Sequence, residues 1–69
     1  MFVVIELQEY NDSLQNIVTA HTTLQEAESK YHTVLAAAAV STVPVHSAVL
    51  LSGNGSVIKN ESYRHDSEN

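Results

Sequence analysis

The sequence predicts an α+β fold of ββαββ order: a four-stranded, mainly antiparallel sheet with one helix packed on one face. Three observations predict it. Thr23–Ser41 (TLQEAESKYHTVLAAAAVS) reads as a single helix opened by a capping box, in which the Thr23 hydroxyl accepts from the Glu26 amide and the Glu26 carboxylate reaches back to the Thr23 amide. Gly53-Asn54-Gly55 is the clearest turn in the chain, because Asn-Gly tolerates the positive φ angles of tight hairpins. Short runs rich in β-branched residues flank both features on each side.

Taken in order, Phe2–Leu7 (FVVIEL) is the first strand. Val3, Ile5 and Leu7 share one side and Phe2, Val4 and Glu6 the other; both begin apolar, so the strand is expected to be central or covered on both faces. Asn11-Asp12-Ser13 is a turn cluster, and Ile17–Thr22 closes the first hairpin. The helix follows over about 24–41, with Leu24, Ala27, Tyr31, Val34, Leu35 and Ala38 on the stripe that faces the sheet. Pro44 ends it, since the residue before proline is driven towards extended backbone. Val45–Ser52 and Ser56–Tyr63 form the second hairpin. One domain over 1–63 and a frayed polar tail over 64–69 complete the expected organisation.

Size and composition narrow the function. At 69 residues the chain is small enough to need support beyond its core, and with no cysteine it has no disulfide. The four histidines show no metal-type spacing, so neither a metal nor another cofactor is expected. Self-association is the remaining support. The side of the helix away from the core stripe carries Ser29, Thr33, Ala36, Ala37 and Val40, small or apolar residues that would let a second copy approach closely. A formal charge of −5 with only Lys30, Lys59 and Arg64 as cations argues against nucleic acid. The apolar region 34–51 is broken by Pro44, His46 and hydroxyls, which argues against a membrane span. Phe2–Ile5 is too short and lacks the basic leader of a secretion signal, so a soluble intracellular protein is expected.

Chemistry-bearing residues are few. Glu28 and His32 form an i,i+4 pair, and Ser29 lies three positions from His32 without an orienting acid; no paired carboxylates or glycine-rich phosphate loop are present, so an enzyme is not expected. Lys30 stands near the apolar oligomer flank, where it is either a solvated cation or a phosphate contact. His46 alternates with Ala48 and Leu50 and reads as a hydrogen-bonded edge residue or a ligand contact. Tyr63-Arg64 combines an aromatic that can stack on a base with a fork-shaped donor suited to phosphate.

The chain resembles a group of very small proteins encoded by phages and prophages of Gram-positive bacteria, through VIELQ (4–8), NIVTAH (16–21), AESKYHTVLAAAAVS (27–41), VPVHSAVLL (43–51) and VIKNESYRH (57–65). The resemblance implies the cytoplasm of a bacterial host and a role in counter-defence, where one class of small proteins oligomerises into sponges for nucleotide second messengers. On that reading the homo-oligomer binds a small anionic nucleotide-type ligand without cleaving it, through Lys30, Ser41, His46, Tyr63 and Arg64. The competing reading is a protein that binds protein, as an inhibitor of a host defence enzyme or a small structural or assembly factor. Geometry discriminates them. Lys30 and Arg64 converging on a subunit boundary with Tyr63, so that two or more subunits share each site, favour an anionic ligand; dispersed cations beside an exposed apolar sheet face favour a protein partner.

Overall fold

The computed structural model describes residues 1–65. β1 (Phe2–Glu9) and β2 (Leu14–His21) form a hairpin, α1 (Leu24–Ala39) follows, and β3 (Val45–Ser52) and β4 (Val57–Arg64) form a second hairpin. The strands make one antiparallel sheet in the order β2-β1-β3-β4. The ββαββ fold read from the sequence is therefore the observed one, and β1 is central as expected.

Local chemistry explains each boundary. Glu26 N–H donates to Thr23 Oγ1 at 3.1 Å, so Thr23 caps α1. The second half of the expected box is replaced: the Glu26 carboxylate accepts from the Thr22 hydroxyl at 3.3 Å. At the other end Val40 and Ser41 N–H bond to Ala37 and Ala38 carbonyls, three positions back, and α1 stops before Pro44. In the second turn Gly55 takes φ +90°, and the Asn54 side chain accepts from Ser56 N–H. β2 begins at Leu14, three residues earlier than the apolar pattern suggested, because an edge strand tolerates Gln15 and Asn16. β4 extends through Arg64, and His65 N–H donates to the Pro44 carbonyl at 2.7 Å. The rest of the expected tail, 66–69, lies outside the described residues.

Alternation along the strands assigns the faces. Phe2, Val4, Glu6 and Gln8 of β1 look towards α1, as do His46, Ala48 and Leu50 of β3 and Lys59, Glu61 and Tyr63 of β4. Val4, Ala27, Tyr31, Val34, Ala48 and Leu50 form the buried core, with Phe2 and Leu35 packed at its margin. Leu24, the first helical residue, departs from the expected stripe: it is exposed. α1 lies chiefly over β3 and least over β2.

The opposite face carries Val3, Ile5 and Leu7 of β1, Val18 and Ala20 of β2, Val49 and Leu51 of β3, and Val57 of β4. Among the described residues no element lies over it. The core is one-sided, and this apolar face is open.

Candidate functional site

Polar side chains on the core face need partners, and Glu6 and His46 supply each other's. His46 is 4% exposed, and its Nε2 lies 2.7 Å from Glu6 Oε2. The two sit diagonally on neighbouring strands, Gln8 being opposite His46 and Glu6 opposite Ala48. Since a carboxylate only accepts, Nε2 donates to it, and on the far side of the ring Nδ1 hydrogen-bonds with the Ser41 hydroxyl at 2.9 Å. Ser41 Oγ accepts in turn from Val43 N–H at 3.2 Å, and Gln8 Nε2 donates to Glu6 at 2.9 Å. Burial on its own would raise the Glu6 carboxyl. Hydrogen bonds from His46 and Gln8, with the charges of His46 and Lys30, outweigh it and hold Glu6 below the usual carboxylate range.

A serine, an imidazole and a carboxylate in a row invite comparison with a hydrolase relay. The surroundings of Ser41 oppose that chemistry. It follows the C-terminal end of α1, where free carbonyls gather, and its own N–H is committed to Ala38. A developing oxyanion needs convergent amide donors. The row instead ties the α1–β3 connection to β1.

The five expected ligand residues divide. Ser41 and His46 are bonded, and Tyr63 is the cross-strand partner of His46 on the same face. Tyr63 also stacks on His65, with ring centroids 6.3 Å apart and planes 6° from parallel. Arg64, the next residue of β4, projects to the opposite face beside Val45. Lys30 lies on the side of α1 whose charge reaches Glu6, whereas Lys59 pairs with Glu28 at 3.2 Å on the other. The cations are dispersed. Burial, and after it the charge of Glu61, push the Tyr31 hydroxyl up.

Ser29, Thr33, Ala36, Ala37 and Val40 are all exposed on the outer side of α1, Val40 by 83%. The Thr33 hydroxyl donates to the Ser29 carbonyl within the helix.

Two depressions mark the surface. One of about 190 Å³, between Glu9, Tyr10, Pro44 and Arg64, falls below the roughly 300–1,000 Å³ typical of small-molecule pockets. The other, about 310 Å³, lies on the open sheet face between Leu7, Ser47, Val49, Val57, Asn60 and Ser62. No three metal-ligating side chains converge among the described residues, and no helix there is long and apolar enough to cross a membrane.

Sequence reasoning overlooked Glu6. The signal was present: a carboxylate in core phase with Phe2 and Val4 requires a buried partner, and His46 is in core phase with Ala48 and Leu50. The chain matches no protein-family model, no curated protein and no solved structure.

Proposed function

We propose that this is a non-catalytic counter-defence protein that acts by binding another protein through the open face of its sheet. One observation carries the reading: among the described residues nothing covers a sheet face with Val3, Ile5, Leu7, Val18, Val49, Leu51 and Val57, while the cations point in different directions. An apolar patch of that kind on a small protein is a mark of protein association. The phage setting rests on the sequence resemblance; within it the partner is a host defence enzyme that the protein inhibits. A nucleotide-type ligand would ask for Lys30 and Arg64 to meet beside Tyr63 at a subunit boundary; within one chain Lys30 stands on α1, and Arg64 projects to the face of β4 opposite Tyr63.

A photocrosslinking residue at Val49 or Val57, compared with one at Ala36 or Thr33 on the helix, tests the reading in cells of a Gram-positive host. A discrete heterologous adduct from the sheet positions alone is expected, with binding reproduced by the purified partner. Adducts from the helix positions alone overturn the assignment of the face. Calorimetric binding of cyclic dinucleotides or ADP-ribose derivatives, with the ligand recovered intact, would replace it by the sponge reading.

A further inference from the structure

β2 and β4 are the two edges of the sheet, and they are built differently. β4 carries Lys59, Glu61 and Arg64, and its pairing with β3 shifts register between Leu50 and Leu51. Charges and bulges of this kind obstruct the addition of another strand. β2 has neither. LQNIVTAH contains no Lys, Arg, Asp, Glu or Pro, and its register with β1 is unbroken from Leu14 to His21. Ile17 is 51% exposed on the α1 side, where the helix makes few contacts with this strand, and Val18 is 57% exposed on the open side. An eight-residue regular edge presents a row of N–H and C=O groups with nothing to repel a partner strand.

We propose that β2 pairs antiparallel with β2 of a second copy, about a two-fold axis normal to the sheet near Ile17 and Val18, to give one continuous eight-stranded sheet. A two-fold axis in that direction keeps like faces together. Ile17 therefore packs against residues on the α1 side of the partner strand, and Val18 against residues on the open side. Self-complementarity selects a second copy: two chains of charge −5 repel across their charged surfaces, and β2, which has no charged side chain, is the edge on which that repulsion is least and the same row of groups can pair with itself. Edge asymmetry sets the stoichiometry. Pairing consumes β2 from both copies and leaves only the obstructed β4 edges, so the assembly closes at two and does not grow into a filament. This association uses a different surface from the small-residue side of α1. It also leaves the open sheet face free and doubles it, so it stands whether or not that face takes a protein partner.

The chain has no cysteine, so single introduced cysteines report contact directly. Residues facing each other in antiparallel strands have Cα atoms roughly 4.5–5.5 Å apart, within the range a disulfide spans. Under mild oxidation, one of Asn16→Cys, Ile17→Cys, Val18→Cys or Thr19→Cys is expected to form a covalent dimer, and Ala36→Cys and Asn60→Cys are not. The wild type should sediment as a dimer, and the Ile17→Lys/Val18→Lys double variant as a folded monomer. If that variant does not fold, the cysteine set alone decides. A monomeric wild type overturns the proposal, as does crosslinking confined to Ala36→Cys or Asn60→Cys.

Discussion

His46 Nε2 and Glu6 Oε2 lie 2.7 Å apart on the central strands β1 and β3, although forty positions separate the two residues in the chain. The bond joins the segment that ends α1 to the strand that anchors the sheet, through Ser41 on the far side of the ring. Replacing Glu6 by Ala leaves a buried imidazole N–H without its acceptor. The expected loss is about 1–3 kcal/mol. For a domain of this size that corresponds to a fall in Tm of several degrees, at roughly 4–8 °C per kcal/mol, measured by circular dichroism.

The same pair gives the fold an acid dependence of known sign. Glu6 has a lower pKa folded than unfolded, so the unfolded chain binds more protons over that interval. Its stabilisation is fully present above the ordinary carboxylate value of the unfolded chain and is lost as pH falls through the lower, folded value. Urea midpoints should decline on acidification. Glu6→Gln should be less stable near neutrality and show a shallower decline than the wild type over the same interval.

Thr23→Ala removes the hydroxyl that accepts from Glu26 N–H, at an expected cost of about 1 kcal/mol. Glu26→Ala should cost less, because its carboxylate bonds to Thr22 across 3.3 Å at an exposed site. Urea unfolding of the two variants checks the order.

Gly55 has φ +90° and open space where a Cβ would stand, whereas a Cβ on Gly53 would lie 3.0 Å from the Met1 carbonyl oxygen. Gly55→Ala should therefore lose about 1–2 kcal/mol through backbone conformation alone. Gly55→Asn, which tolerates positive φ better, should lose less. Equal losses for Ala and Asn would contradict this account.

On the open sheet face, Val49→Thr combined with Val57→Lys should abolish capture of a protein partner while α1 and the core remain folded. Val57 is exposed and neither residue contributes to the buried cluster, so the folded domain tolerates both. Photocrosslinking yield and far-ultraviolet circular dichroism, read on the same sample, separate loss of binding from loss of fold.

The elements that were legible in the sequence depend on neighbours in the chain. Thr23 caps a helix through an amide three positions on, and Gly55 turns a hairpin through its own φ. The strand order and the Glu6–His46 bond depend on which distant strands become adjacent, and a periodicity of two assigns a face without assigning a neighbour. The Tyr63-Arg64 pair illustrates the same limit. Read as a string, the two residues form one recognition unit; in a strand they point to opposite sides. Leu24 illustrates it too: helical phase puts it on the core stripe, but phase alone does not say how far along the helix the core extends, and Leu24 is exposed.

The central position of β1 has a consequence for the order of events in folding. β1 can pair with β2 as soon as that hairpin exists, but its other neighbour, β3, begins at Val45, beyond the whole of α1. A two-stranded hairpin on its own is marginal in water. α1 takes its main seat on β3, so it too lacks a platform until then. Consolidation therefore waits for β3 to dock, a long-range step that closes the chain between Glu9 and Val45. Substitutions that weaken this docking should slow refolding, whereas those confined to the β3–β4 turn should chiefly accelerate unfolding if that turn closes after the docking step.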